Sequence, residues 1–136
     1  MKEFEIILVD DSPEDTDLAL RELRKCNLVN SIRTFENGQQ AYDFIMEHAT
    51  DGIPRMVLLD LNMPVMDGLE FIQRIKADEK TKGIPIAVLT STTELPDIKE
   101  SLRMGVKSYI PKPIVIEDVV KIAVDMGYHI QIVRKD

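Results

Sequence analysis

Residues 4–15 read Phe4-Glu5-Ile6-Ile7-Leu8-Val9-Asp10-Asp11-Ser12-Pro13-Glu14-Asp15. A half-solvated strand would alternate apolar and polar side chains. This run does not alternate, which predicts a strand over Phe4–Val9 covered on both faces. Ser12 ahead of Pro13 is an N-cap followed by a first-turn proline. Glu14 and Asp15 then fall where the positive end of a helix dipole favours acids. Beyond them Leu18, Leu20, Leu23 and Leu28 recur at helical spacing. Strand, acidic turn and helix make one βα unit.

The unit repeats. Aliphatic and β-branched runs appear at Ser31–Glu36, Arg55–Leu59, Ile84–Leu89 and Val106–Ile110, with strand centres recurring about every 25 residues. Helical spacing marks Ala41, Phe44, Ile45 and His48, then Leu69, Phe71, Ile72 and Ile75, then Leu95, Ile98, Leu102 and Met104. A fifth stripe runs through Ile116, Val119, Val120 and Ala123, with Ile130 farther out. Asn37-Gly38 is a turn, Gly83 and Pro85 punctuate the approach to the fourth run, and Gly105 stops the fourth helix. Five alternations predict an α/β protein, a doubly wound (βα)5 parallel sheet with right-handed crossovers. The 136 residues suit one domain, with a core over about residues 4–125 and a helix-five extension or tail over 126–136.

Composition removes several function classes. Seventeen Lys and Arg against 24 Asp and Glu give a net charge of −7, which argues against a binder of nucleic-acid backbones. Cys26 is the lone cysteine, so no internal disulfide or cysteine zinc site exists, and a reducing cytoplasmic location is expected. Cys26 itself is expected to pack near the end of the first helix. Glu3, Glu5, Asp10 and Asp11 interrupt any signal-peptide core, and no apolar run approaches the roughly 20 residues of a membrane span. The 23 residues after Pro113 (136 − 113) accommodate one helix and a tail, not a DNA-binding domain.

Ligands of a parallel sheet sit at the carboxyl ends of its strands. Those ends read Asp10-Asp11, Asp60, Thr90 and Lys112, with Ser91 a competitor for the Thr90 position. An order that makes the first and third strands neighbours would gather three carboxylates in one crevice. Three such groups repel one another unless compensated. Lys112 offers one positive charge, and a hard divalent cation, Mg²⁺ or Mn²⁺, offers two more. The chemistry that fits is phosphoryl transfer to a carboxylate, giving an aspartyl phosphate.

The set Asp10-Asp11, Asp60-Leu61-Asn62-Met63-Pro64-Val65-Met66-Asp67-Gly68, Thr90 and Lys112-Pro113 resembles the receiver domain of two-component response regulators. The resemblance implies a flavodoxin-like fold with strand order 2-1-3-4-5. It implies that Asp60 is the phosphoacceptor, that Asp11 ligates the metal directly and that Asp10 acts largely through water. The Asn62 backbone carbonyl would be a third protein ligand. Thr90 would bond a phosphoryl oxygen, and Lys112 would pair with the phosphoryl group beside a cis Lys112–Pro113 bond. Tyr109 matches the aromatic residue that moves inward with Thr90, altering the surface of helix four, strand five and helix five. Asn62 and Thr92 occupy positions that tune phosphoryl lifetime. Pro111 departs from the family pattern. Pro64 and Gly68 would shape the loop and Asp67 would cap helix three.

The implied donor is a sensor histidine kinase or a phosphotransfer protein, and the chain would catalyse only its own phosphoryl transfer and autodephosphorylation. The Asp-Ser-Pro-Glu-Asp opening and the Asp-Leu-Asn-Met-Pro run also resemble single-domain regulators encoded with phytochrome-type photoreceptor kinases. His48 and His129 read as surface or helix residues outside the site. Lys99, Glu100 and Arg103 read as the solvated face of helix four. The tail is open between a helix continuing past Gly127 and a short strand over Tyr128–Val133. It is equally open between a homodimer contact with helices four and five and folding back on its own domain. Two rival functions are a constitutive adaptor, disfavoured by the intact Asp10, Asp11, Asp60, Thr90 and Lys112, and an aspartyl-phosphate hydrolase, disfavoured by the lack of a strand-one Asp-x-Asp nucleophile motif and of cap insertions.

Overall fold

The computed structural model describes residues 5–28, 31–61, 63, 66–90, 95–125 and 132–134. Its strands are β1 (Glu5–Val9), β2 (Cys26–Leu28), β3 (Ser31–Phe35), β4 (Arg55–Asp60), β5 (Ile86–Thr90), β6 (Ser108–Pro111) and β7 (Ile132–Arg134). Its helices are α1 (Pro13–Lys25), α2 (Gly38–Glu47), α3 (Gly68–Ala77), α4 (Leu95–Arg103) and α5 (Ile116–Asp125). Five strands form a parallel sheet ordered β3-β1-β4-β5-β6. Counted among the sheet strands alone, that is the flavodoxin-like order 2-1-3-4-5.

The unbroken aliphatic runs have the reason expected for them. Side chains alternate across a strand, so Ile6 and Leu8 face one way and Ile7 and Val9 the other. The first pair joins Met56, Leu58, Ala87 and Leu89 beneath α1 and α5, packed on Ala19, Leu23, Val119 and Ala123. The second joins Val57, Leu59, Ile86 and Val88 against Ala41, Ile45, Phe71, Ile72 and Ile75 of α2 and α3. Both layers exclude water from the sheet, so every residue of β1, β4 and β5 is buried.

The caps at Ser12 and Asp67 follow the sequence, and Asn37, read there as part of a turn, caps α2 as well. The Asp15 amide donates to Ser12 Oγ at 3.2 Å. The Gln40 amide donates to Asn37 Oδ1 at 2.8 Å and the Glu70 amide to Asp67 Oδ1 at 2.9 Å. Gly105 follows α4 at φ +99°, a left-handed value that glycine adopts without a side-chain penalty.

Two readings are corrected. The first helix stops at Lys25, so Leu28 is not on its apolar stripe and Cys26 opens a strand instead. The backbone of Cys26–Leu28 pairs antiparallel with β7, Cys26 opposite Arg134 and Leu28 opposite Ile132. A long-range ladder has taken the amides that local spacing assigned to a helix. Within the described residues the tail takes the strand alternative at Ile132–Arg134, folded onto its own chain. Ile130, Gly127 and His129 lie outside the described residues. Smaller shifts are that Met104 falls beyond α4 and that β5 begins after Pro85, whose carbonyl accepts from the Val57 amide at 2.9 Å.

At the amino ends of the strands lies an ionic network the sequence did not announce. Arg55 Nε pairs with Glu5 Oε1 at 2.9 Å, Arg55 Nη2 with Asp51 Oδ2 at 2.7 Å, and Arg33 Nε with Glu5 Oε2 at 2.7 Å. Both guanidinium groups lie over the Phe44 ring. The hydrogen bond from Arg55 holds the Asp51 carboxyl at about 2, below its ordinary 3.8. Burial pushes Glu5 up, but hydrogen bonds from Arg55 and Arg33 outweigh it and leave its carboxyl lowered. Carboxylates depressed in the folded state stabilise above their unfolded pKa and lose that contribution as pH falls through the folded value. Thermal melts of wild type should therefore fall more steeply between about pH 4 and pH 2 than those of Asp51→Asn. Parallel pH profiles would contradict this account.

Candidate functional site

Each chemistry-bearing residue stands at a strand's carboxyl end because the apolar run before it ends where the buried sheet ends. Asp10 follows β1, Asp60 closes β4, Thr90 closes β5 and Lys112 follows β6. Parallel registration does the rest. Val9 sits opposite Leu59 and Asp60 opposite Leu89, so the three central strands end side by side. The Lys112 amide donates to the Thr90 carbonyl at 2.7 Å, and the Asp10 amide to the Phe35 carbonyl at 3.0 Å, fixing the two flanking turns.

Asp10, Asp11 and Asp60 each place a carboxylate oxygen within 4.8 Å of the other two. Asp10 is 3 % exposed and Asp60 8 % exposed, while Asp11 faces solvent. Asp10 Oδ1 accepts from the Ser12 amide at 2.9 Å, and its Oδ2 meets Lys112 Nζ at 2.9 Å. Lys112 Nζ also reaches Asp15 Oδ2 at 2.9 Å and Asp60 Oδ2 at 3.3 Å. Burial by itself would lower the Lys112 ammonium. Hydrogen bonds to Asp15 and Asp10, with the charges of Asp60 and Asp10, win and raise it above the ordinary lysine value. The Lys112–Pro113 bond is cis.

One ammonium cannot balance four carboxylates. The hard oxygen donors of Asp10, Asp11 and Asp60, one solvent-facing, fit a divalent cation such as Mg²⁺ or Mn²⁺ that keeps several waters. Beside them a cavity of about 320 Å³ is lined by Asp10, Asp15, Leu18, Lys112, Pro113 and Ile114.

The loop after Asp60 is shaped by close approach. A Cβ on Gly68 would lie 2.5 Å from Leu61 Cα, and one on Gly38 would lie 2.6 Å from the Met66 carbonyl oxygen. The first matches the loop-shaping role expected of Gly68. The second was not legible, because Gly38 had read only as a turn. Met66 turns through φ 53°, left-handed backbone that a non-glycine residue adopts at some cost.

The structure therefore brings Asp10, Asp11, Asp60, Thr90 and Lys112 to one rim. Tyr109 is on β6, 51 % exposed. Asn62, Pro64, Ser91, Thr92 and His129 lie outside the described residues. His48 caps α2 far from the rim and stacks on Phe44 at 4.2 Å. Arg103 and Glu100 pair at 3.1 Å on the exposed face of α4. Asp15 was read only as a first-turn acid; its pairing with Lys112, far off in the chain, has no local signature.

The response regulator receiver domain family matches residues 6–124. A probable methanogenesis regulatory protein, FilR2 of Methanothrix harundinacea, is 36% identical over 117 residues, 85% of this chain and 76% of that protein. Response regulator Rcp1 of Synechocystis is 31% identical over 119 residues, 85% of this chain and 81% of its own. Its Mn²⁺-bound structure aligns with a TM-score of 0.71 at 29% identity, covering 91% of this chain and 90% of that one. The bacteriophytochrome response regulator AtBRR aligns at 0.82 and 34% identity, covering 95% and 96%. The chain belongs to the response regulator receiver family, signalling proteins that accept a phosphoryl group on an aspartate. Its near structural neighbours include phytochrome response regulators.

Proposed function

We propose that this chain is a cytoplasmic receiver, with residues 1–136 forming one domain, that accepts a phosphoryl group on Asp60. The observation that carries the reading is the convergence of Asp10, Asp11 and Asp60 with Lys112 at one strand-end rim. The donor is a phosphohistidine on a sensor histidine kinase, of the phytochrome photoreceptor type, or on a phosphotransfer protein. The Asp60 carboxylate oxygen forms the new bond to phosphorus as the phosphorus–nitrogen bond breaks, and the imidazole leaves with the electron pair. Lys112 neutralises the transferring group, and the Thr90 hydroxyl takes one of its oxygens. Asp10, Asp11, Asp60 and the Asn62 carbonyl would hold Mg²⁺ or Mn²⁺, which supplies the remaining charge neutralisation.

Transfer then biases a two-state element. Thr90, drawn toward the phosphoryl group, vacates space that the exposed Tyr109 ring can enter. Such local charge events shift populations by about 1–3 kcal/mol. The readout surface is α4, β6 and α5; between β6 and α5, Tyr109, Asp118, Lys121 and Ile122 line a groove. A second copy is a proposed partner there, because Leu102 on α4 and Val124 on α5 are exposed. Sedimentation at high protein concentration tests that partner, and a monomer with and without phosphorylation removes it. Among the described residues no helix is long and apolar enough to cross a membrane, and the acidic balance gives no purchase on DNA.

The central test is intact mass after incubation with Mg²⁺ and acetyl phosphate or phosphoramidate. A gain of one phosphoryl mass, abolished by a chelator, is expected. No gain with any donor favours the adaptor, and turnover of a free phosphoester favours the hydrolase.

A further inference from the structure

Lys112 Nζ has three N–H donors, and three carboxylates surround it. Asp10 Oδ2 and Asp15 Oδ2 lie at 2.9 Å, and Asp60 Oδ2 is longer at 3.3 Å. Its hydrogen-bonding capacity is thus matched by acids alone. A phosphoryl oxygen arriving for Lys112 must displace one of them. Asp60 is the proposed attachment point and Asp10 is buried, with its other oxygen taken by the Ser12 amide. Asp15 differs. It sits in the first turn of α1 with a side chain 41 % exposed, against 15 % for Lys112, and water can solvate it once released. It also lines the cavity beside Lys112.

We propose that Asp15 is a placeholder anion: its carboxylate occupies the Lys112 ammonium in the resting protein and must yield it to the incoming phosphoryl group. The proposal rests on the receiver reading above and deepens it. Asp15 acts through Lys112, so it is a positioning residue. Its charge opposes anionic donors at the mouth of the cavity and sets a threshold for phosphorylation by small molecules. A protein donor, which docks and positions its phosphoryl group, meets the same threshold with more binding energy to overcome it.

The test compares wild type, Asp15→Asn and Asp15→Glu. Calorimetry with beryllofluoride and Mg²⁺ reads binding of a phosphoryl mimic, independently of transfer. Asp15→Asn should bind it roughly two- to fivefold more tightly, whereas Asp15→Glu, which keeps the charge, should stay near wild type. Labelling rates should follow the donor's charge. The apparent half-saturation for dianionic acetyl phosphate should fall in Asp15→Asn, with a smaller change for phosphoramidate. A purely structural role for Asp15 would alter both donors alike and would not distinguish Asn from Glu. Weaker or unchanged binding in Asp15→Asn overturns the placeholder while wild type still labels. A wild type that neither labels nor binds the mimic overturns the receiver reading and the placeholder together.

Discussion

Asp60→Asn is expected to take up no phosphoryl group from acetyl phosphate and Mg²⁺ under conditions that label wild type, a loss of ~100-fold or more. The amide fills the carboxylate's space and cannot serve as the nucleophile. The fold should survive, because the substitution removes one of three carboxylates crowded within 4.8 Å and so relieves repulsion. Its melting temperature should equal or exceed that of wild type in the absence of divalent ions. Divalent affinity should drop, since one donor of the set is gone. Intact mass spectrometry and melts with and without Mg²⁺ read all three. Undiminished labelling of the variant would move the acceptor elsewhere and dismantle the proposed site.

Lys112→Met should behave in the opposite sense. The ammonium touches Asp10, Asp15 and Asp60, and its raised pKa means the charged form is favoured in the folded state. That contribution is fully present below the unfolded lysine value and is lost only as pH rises through the higher folded one. Removing one partner of a mostly buried ion pair leaves the others uncompensated, at a cost of about 2–3 kcal/mol after discount for partial exposure. A divalent cation can replace part of the missing charge, so the deficit should shrink as Mg²⁺ is raised, by mass action on the folded state. Phosphoryl uptake should fall at least ~10-fold even with metal saturating, because the cation on the transferring group is lost. Melts across a Mg²⁺ titration decide it. A deficit that ignores Mg²⁺ would mean that Lys112 and the metal do not share the same carboxylates.

Much of this was legible in one dimension for a physical reason. Strands buried on both faces must be continuously apolar, so the runs at Ile6–Val9 and Ile86–Leu89 declare both their structure and their depth. Where such a run stops, the sheet's edge has been reached, and a charged residue there stands at a rim. Asp10, Asp60 and Lys112 could therefore be placed from sequence, and local signals at Ser12, Asn37 and Asp67 set where the helices begin.

What the linear order could not carry were interactions decided by residues distant in the chain. Leu28 has the spacing of a helical residue, and only the tail's arrival turns Cys26–Leu28 into a strand. Glu5 reads as an interruption in an apolar run until Arg33 and Arg55 close around it. Asp15 reads as a helix-start acid until β6 delivers Lys112 beside it. Periodicity and capping are written within a few residues, because they follow from backbone geometry. Charge partners and backbone ladders across the chain depend on how separate elements pack, and the folded molecule alone selects among the pairings its composition permits.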